Sequence, residues 1–304
     1  MDATIEVRDL HKRYGRTVAV DGISFSVRPG EVTGFVGPNG AGKSTTMRVI
    51  LGLDAPTDGT ALVGGVPYRK LRAPLRSVGA LLDAGAVHGG RRAHHHLLWM
   101  ARSNGLPRSR VDEVLDRVGL ASVARRRVGG FSLGMRQRLG IAGALLGDPP
   151  VLMFDEPVNG LDPEGIVWIR KLMRSLATEG RAVFLSSHLM RELDGTADHV
   201  VVLGRGRVIA DTKVDELIST AAGNRIEVRT SKRSEVMTVL ANAGATVAAV
   251  DADVLTVHGL EGERIAALLT EHRLPFGELR QHRATLEEAY MDLTQHAVEF
   301  TAEA

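Results

Sequence analysis

The chain contains no cysteine among its 304 residues. Disulfide bonds, thiolate nucleophiles and zinc–thiolate sites are therefore excluded, which fits a reducing compartment. The segment Met1–Arg8 has no apolar stretch behind a basic head, so we expect no signal peptide. The sequence also lacks an apolar run of the roughly 18–20 residues that a membrane-spanning helix needs. Any role at a membrane would therefore depend on a partner protein.

A surplus of one charge sign is missing as well. The 38 Lys and Arg residues nearly balance the 36 Asp and Glu residues, which leaves a formal net charge of +2. Nucleic-acid-binding proteins cluster basic side chains on one face, whereas the basic residues here are spread along the chain. The sequence therefore predicts no nucleic-acid partner. Its 44% hydrophobic and 24% charged residues are typical of a globular protein, and its length predicts about two domains.

Lysine is scarce, since only six of the 38 basic residues are lysines, but one of the six lies in a glycine-rich motif. The segment Gly37–Ser44 matches the pattern G-x-x-x-x-G-K-[ST] in full. We expect a strand at Glu31–Val36 and a helix at Ser44–Leu53, which is the context of a phosphate-binding loop. The predicted nucleotide-binding residues of this segment are Gly37, Pro38, Asn39, Gly40, Ala41, Gly42, Lys43, Ser44 and Thr45.

Each residue type in this motif suits a bound phosphate. Glycine lets backbone N–H groups point at phosphate oxygens, and the N-terminus of the following helix adds its dipole. Lys43 would neutralise the β- and γ-phosphates, and the Ser44 hydroxyl would bind Mg²⁺. The sequence has no N-K-x-D motif for reading guanine. The motif therefore predicts a nucleotide and Mg²⁺ as ligands.

Two carboxylates directly follow an apolar strand expected at Val151–Phe154. Asp155 would hold Mg²⁺ through water at the strand end, and Glu156 would polarise the water that attacks the γ-phosphate. Acidic residues also follow buried strands without any catalytic role. The pair alone therefore leaves a purely structural interpretation open.

The segment Phe131–Arg138 supplies the motif that connects these features. It contains Ser132, Gly134 and a closing Arg-Gln-Arg. In this order, the motifs resemble the ATP-binding subunits of ABC transporters, whose signature reads LSGGQ followed by R-Q-R. Leu133 and Met135 replace a glycine and the glutamine of that signature, a relaxed form that resembles the drug- and antibiotic-export branch.

The resemblance assigns roles to further residues. Asp162 closes a segment similar to the family's D-loop, and His188 follows an apolar strand as the switch histidine does. Tyr14 lies where the family stacks an aromatic ring on adenine. Asp83 stands at the position of the Q-loop glutamine, and its carboxylate could bind Mg²⁺ or orient water. The resemblance makes Glu156, His188 and Lys43 the catalytic residues and adds Ser132, Gly134 and Asp162 to the nucleotide contacts.

The implied fold is α/β, with a RecA-like P-loop core, an antiparallel β subdomain and a helical subdomain. We expect an ATP-binding domain over residues 1–219, with a helical insertion at about 83–147. Residues 220–304 alternate in the order β-α-β-β-α-β, which predicts an accessory α+β domain of ferredoxin-like type. Near the N-terminus, strands are expected at Ile5–Val7 and Ile23–Val27, with Asp21-Gly22 as a turn between or beside them.

The implied function is ATP hydrolysis that drives transport, with export favoured, through a separate integral-membrane permease. Two subunits, identical or paralogous, would sandwich two ATP molecules with Mg²⁺ at the cytoplasmic face of the membrane. One alternative is a soluble ABC-type ATPase in translation or repair, but the chain has one phosphate loop, and Ser44 and Ser132 are separated by no sustained heptads. A second alternative is an ATP-dependent regulatory module without hydrolysis, which the presence of Glu156 and His188 disfavours.

Overall fold

A computed structural model of the chain describes residues 4–222, 225–281 and 284–299. The chain divides into two compact units, Met1–Val214 and Asp215–Ala304. The division lies slightly before residue 219, where the sequence predicts the end of the first domain. Over the described ranges, no helix combines the length and the apolar character that crossing a bilayer requires.

The first unit contains strands and helices in alternation. Its strands are β1 (Ile5–Tyr14), β2 (Thr17–Val27), β3 (Val32–Val36), β4 (Asp58–Val63), β5 (Val78–Leu81), β6 (Val151–Phe154), β7 (Ala182–Ser187), β8 (His199–Gly204) and β9 (Arg207–Lys213). Its helices are α1 (Lys43–Ile50), α2 (Pro74–Ser77), α3 (Ala93–Ser103), α4 (Ser109–Arg117), α5 (Leu133–Leu145) and α6 (Pro163–Thr178). Short 3₁₀ turns connect several of these elements.

A six-stranded sheet forms the centre of the first unit, in the order β5-β6-β7-β3-β8-β9. The first five strands in this order are parallel, and β9 pairs antiparallel with β8. Every residue of β3, β6 and β7 is buried, including the polar Thr33, Ser186 and Ser187. Burial on both faces explains why the other side chains of these strands are apolar. Because parallel strands end at the same edge, the residues after β3, β6 and β7 meet there.

The second sheet of the unit is antiparallel, in the order β2-β1-β4. It contains the expected N-terminal strands, but each is longer than predicted. The predicted turn at Asp21-Gly22 is wrong, because these residues lie inside β2, where the register with β1 shifts. The hairpin turns instead at Gly15-Arg16. Gly22 uses its positive φ of 68° to form a bulge rather than a turn.

Three phenylalanines join the two sheets in one core. Phe25 on β2 lies with its ring centroid 5.1 Å from that of Phe35 on β3 and 5.6 Å from that of Phe184 on β7. Phe35 and Phe184 are separated by 5.0 Å. These spacings are typical of favourable aromatic pairs. The cluster therefore fixes the antiparallel sheet onto the central strands that lead into the edge described above.

The predicted helical insertion at about 83–147 contains α3, α4 and α5. Apolar side chains at helical spacing pack these helices together, namely Leu97, Ala101, Val111, Val114, Leu115, Leu139 and Ala142, all buried. Helix α5 begins immediately after Ser132, so the signature segment lies at the N-terminus of a buried helix.

Most of the second unit is an α+β module. Its elements are α7 (Val214–Ala222, whose first residue closes the first unit), β10 (Ile226–Arg229), α8 (Arg233–Asn242), β11 (Thr246–Ala249), β12 (Val254–His258), α9 (Gly262–Glu271), β13 (Glu278–Gln281) and α10 (Leu286–Glu299). The sheet order is β11-β12-β10-β13, with all neighbours antiparallel. This order is that of a split β-α-β arrangement. The module has its own apolar core, built from β10, β12, α8 and α9.

Candidate functional site

The phosphate-loop motif connects the end of β3 to the start of α1. Gly42 precedes the helix with φ of 105°, a conformation that favours glycine. A Cβ atom at this position would lie 2.6 Å from the carbonyl oxygen of Ala19. Both the backbone angle and the available space therefore require glycine here. As a result, the backbone can turn tightly enough to present Lys43 at the first position of α1.

Lys43 is a buried cation inside this loop, with a side chain that is only 6% exposed. Its Nζ donates hydrogen bonds to the carbonyl oxygens of Gly37 at 2.7 Å and Pro38 at 3.3 Å. It also lies 3.8 Å from Oε1 of Glu156. Burial lowers the pKa of Lys43, although Glu156 and Asp155 oppose this shift. A desolvated ammonium of this kind favours an anionic ligand such as a phosphate.

An open cavity of about 180 Å³ adjoins the loop. Among the described residues, its lining consists of Ala19, Asn39, Gly40, Gly42, Lys43, Ser44, Thr45 and Glu156. The structure thus brings the loop together with the carboxylate predicted to act on its ligand. Gly37, Pro38 and Ala41 belong to the loop, where Ala41 N donates to the Pro38 carbonyl oxygen, but they do not line the cavity.

The carboxylates that follow β6 are held by Ser186, which the sequence motifs do not predict as a site residue. Ser186, at the end of the adjacent strand β7, is fully buried. Its hydroxyl donates to Oδ1 of Asp155 and accepts a 2.9 Å hydrogen bond from the backbone N–H of Glu156. A polar residue ending a buried parallel strand beside the acidic pair was the signal that could have identified it.

The side chain of Glu156 meets two further polar groups. Its Oε2 lies 2.5 Å from Nδ1 of His188 and accepts a 3.1 Å hydrogen bond from Nδ2 of Asn159. His188 follows β7 directly, whereas Asn159 belongs to the turn after Glu156. The structure therefore places the predicted base and the predicted switch histidine in direct contact. A carboxylate held in this way can accept a proton from a water molecule that it orients.

Three predicted nucleotide contacts lie elsewhere in the unit. Ser132 caps α5, and its Oγ accepts a 3.2 Å hydrogen bond from the N–H of Met135. Asp162 caps α6 in the same way, with Oδ1 accepting a 2.8 Å hydrogen bond from the N–H of Gly165. Gly134 belongs to the first turn of α5. The cavity at the phosphate loop is not lined by Ser132, Gly134 or Asp162.

Tyr14, the predicted adenine-stacking residue, is 48% exposed at the end of β1. Its hydroxyl donates a 2.8 Å hydrogen bond to Oδ2 of Asp54, and Nζ of Lys12 lies 4.7 Å from the ring centroid. The pKa of Asp54 is lowered to about 2, mainly by its hydrogen bond from Arg48 and next by its hydrogen bond from Tyr14. Asp54 was missed by the sequence analysis, since its contacts join distant parts of the chain. Stacking on adenine stays a prediction.

Asp83, the predicted substitute for the Q-loop glutamine, lies just beyond β5. Its Oδ1 accepts a 2.6 Å hydrogen bond from the N–H of Gly85. The carboxylate therefore supports the local turn and does not line the cavity at the phosphate loop. A role in binding Mg²⁺ stays a prediction.

The fold and the site together define a class of protein. A phosphate loop follows one strand of a parallel sheet, and an acidic pair ends a strand of the same sheet, separated from it only by β7. This is the architecture of a P-loop nucleotide hydrolase.

Comparisons with known proteins identify the family. Residues 20–159 match the family described as ABC transporter, and residues 224–287 match a domain of unknown function. A bacitracin transport ATP-binding protein of Bacillus licheniformis is 41% identical over 220 residues, which cover 71% of this chain and 72% of the relative. A daunorubicin resistance ATP-binding protein of Streptomyces coeruleorubidus is 36% identical over an alignment of 310 positions, which covers 96% of both chains.

Solved structures agree with these relatives. A structure described as the ATP-binding subunit of an ABC transporter is 28% identical, with a TM-score of 0.65, and the match covers 71% of this chain and 92% of that one. The chain therefore belongs to the ATP-binding proteins of ABC transporters. Members of this family bind ATP and hydrolyse it to drive transport, and the predicted P-loop fold is confirmed.

The contact at Gly42 gives a direct test of the loop geometry. We expect Gly42→Ala to lower ATP affinity by about tenfold or more, because the added methyl group displaces the loop that orients Lys43. Isothermal calorimetry would measure the affinity. The matched control is Gly180→Ala, at φ of 86° with open space around it. It should keep normal ATP affinity while losing about 1–2 kcal/mol of stability. Equal ATP affinities for the two variants would contradict this account.

Proposed function

We propose that the chain powers export through a separate membrane-spanning permease. Relatives that align with it include proteins described as bacitracin transport, daunorubicin resistance and Nod factor export ATP-binding proteins. These descriptions support transport over a role in translation or repair. They also favour an antibiotic or a similarly complex small molecule as the exported substrate. The chain would then lie at the cytoplasmic face of the membrane, attached through the permease.

The observation that carries ATP hydrolysis is the convergence of three side chains on one sheet edge. Nζ of Lys43 lies 3.8 Å from one carboxylate oxygen of Glu156, and Nδ1 of His188 lies 2.5 Å from the other. Lys43 would neutralise the phosphates of ATP. Glu156 would accept a proton from the attacking water, and His188 would hold Glu156 and the terminal phosphate in line. A purely regulatory ATP-binding module would not need this arrangement.

The residues around the loop also suit Mg²⁺. Hard divalent cations prefer oxygen ligands, which the Ser44 hydroxyl and the Asp155 carboxylate supply. Ser44 lines the cavity, and Asp155 is fixed by the hydroxyl of Ser186. When bound, the ion would offset the negative charge of the transferred phosphate. Asp83 is a further candidate ligand at the end of β5.

Nucleotide contacts from the signature segment would come from a second subunit. Ser132, Gly134 and Asp162 lie outside the cavity at the phosphate loop of their own chain. The N-terminus of α5 at Ser132 carries a partial positive charge that favours phosphate. We propose that two copies, or one copy and a paralogue, meet head to tail around two ATP molecules. Each nucleotide would then contact the phosphate loop of one subunit and Ser132 of the other.

Glu156→Gln tests the proposed base. We expect this variant to bind ATP normally and to lose turnover by about 10²- to 10⁴-fold, because an amide cannot accept the proton. It should also accumulate as an ATP-bound dimer, measured by size-exclusion chromatography with light scattering. Glu113→Gln, on the exposed face of α4, is the matched control and should hydrolyse ATP normally. Normal steady-state hydrolysis by Glu156→Gln would refute the assignment.

Lys43→Ala tests the charge inside the loop. Removing a buried charged partner costs roughly 2 kcal/mol or more, so we expect ATP affinity to fall by about 30-fold or more. Lys171→Ala is the control, since Lys171 is exposed on α6. Filter binding with radiolabelled ATP would compare the two. Unchanged affinity in Lys43→Ala would argue against the phosphate-loop interpretation.

Export can be tested in cells that produce the chain together with a candidate membrane-spanning permease. We expect such cells to expel daunorubicin, followed by its fluorescence, faster than cells that produce the Glu156→Gln variant with the same permease. The difference depends on ATP hydrolysis by this chain, because only Glu156 changes. Faster daunorubicin uptake rather than loss would contradict export. Equal fluorescence in both cultures would show that daunorubicin is not the substrate.

A further inference from the structure

The turn that follows Glu156 is a compact element that rests on α5. Two backbone hydrogen bonds of 3.2 Å close it, from Asn159 N to the carbonyl oxygen of Glu156 and from Leu161 N to that of Val158. The side chain of Asn159 then returns to the Glu156 carboxylate at 3.1 Å. The position of the carboxylate therefore depends on where this turn lies.

Leu133 covers one end of the turn. It is the first residue of α5, and its side chain lies directly on Gly160, so that a Cβ atom added at Gly160 would overlap the isobutyl group. Gly160 has φ of 74°, which also favours glycine. The resembled signature carries glycine at the position of Leu133, so this contact is a feature of the present chain.

Gln137 holds the other end of the turn. Its side chain is 5% exposed, and Nε2 donates a 3.0 Å hydrogen bond to the carbonyl oxygen of Pro157. Residues four apart on a helix share one face. Leu133 and Gln137 therefore form two anchors, four residues apart, between α5 and the turn that starts at Glu156.

We infer that Leu133 is a positioning residue for ATP hydrolysis. By covering Gly160 it fixes the turn, and through Asn159 the turn fixes the carboxylate of Glu156. Leu133 does not need to touch the nucleotide of its own chain for this role. The inference rests on the proposed role of Glu156 as the base.

The exposure of Leu133 separates this role from fold stability. Its side chain is 51% exposed, so shortening it removes little core packing. The Lys43 loop that binds ATP does not include Leu133. The effect should therefore fall on kcat and leave ATP affinity and the thermal unfolding midpoint unchanged.

The experiment measures ATP hydrolysis by the full chain carrying Leu133→Ala. We expect kcat to fall by about two- to thirty-fold, the range of energetic couplings carried by packed side chains. Calorimetry should show unchanged ATP affinity. Leu53→Ala is the matched control, because Leu53 is also a half-exposed leucine of the first unit, at 56%. Its kcat should be normal. An unchanged kcat in Leu133→Ala would overturn the inference.

A second pair of variants shows whether Leu133 acts through Gly160. Gly160→Ala should lose activity because its methyl group overlaps Leu133. Adding Leu133→Ala removes the overlap, so the double variant should recover kcat by about twofold or more over Gly160→Ala alone. If the kcat losses of the two single variants multiply in the double variant, the inference is overturned, since Leu133 would then act only on another subunit. Full activity in Gly160→Ala would overturn it as well.

The outcome for Glu156→Gln keeps the two claims distinguishable. If Glu156→Gln is inactive while Leu133→Ala has a normal kcat, the base is correct and the positioning role is wrong. If Glu156→Gln hydrolyses ATP normally, the role of Glu156 is wrong, and the positioning role falls with it.

Discussion

The buried ammonium of Lys43 is the constraint on which the rest of the site depends. A charge that is only 6% exposed must be compensated, and two loop carbonyls and the Glu156 carboxylate do so within 3.8 Å. This compensation is incomplete, because burial still lowers the pKa of Lys43. The loop therefore encloses a cation whose charge the oxygens of a bound phosphate would neutralise more fully than the backbone carbonyl dipoles do.

The strand order of the central sheet brings the other predicted catalytic groups to the same edge as Lys43. Strand β7 lies between β6 and β3, so the carboxylates after β6, His188 after β7 and the phosphate loop after β3 share one edge. None of these groups is close to the others along the chain. The phenylalanine cluster that packs β2 against β3 and β7 holds the strands that position them. Fold stability and site geometry thus depend on the same core.

Local patterns predicted those parts of the site that lie within one motif. The phosphate loop, the carboxylates after β6 and the strand before His188 were all recognisable from contiguous residues. Contacts between distant segments were not, which is why Ser186, Asp54 and the packing of Leu133 on Gly160 escaped the sequence analysis. The misplaced turn at Asp21-Gly22 has the same cause. A glycine with positive φ serves a turn or a bulge, and only strand pairing decides between them.

The backbone of Glu156 indicates that its position is imposed from outside. It has φ of 50°, a left-handed conformation that costs a non-glycine residue about 1–3 kcal/mol. Such a conformation persists only where the surroundings determine it, and here Ser186 binds its N–H while His188 and Asn159 hold its side chain. These contacts come from β7, from the segment after β7 and from the turn that follows Glu156. Gln137 anchors that turn to α5. Because α5 also carries Ser132 at its N-terminus, the turn connects that helix end to the carboxylate of Glu156 within one chain. The segment that resembles the signature and the predicted base are therefore joined by side-chain contacts rather than by proximity along the chain.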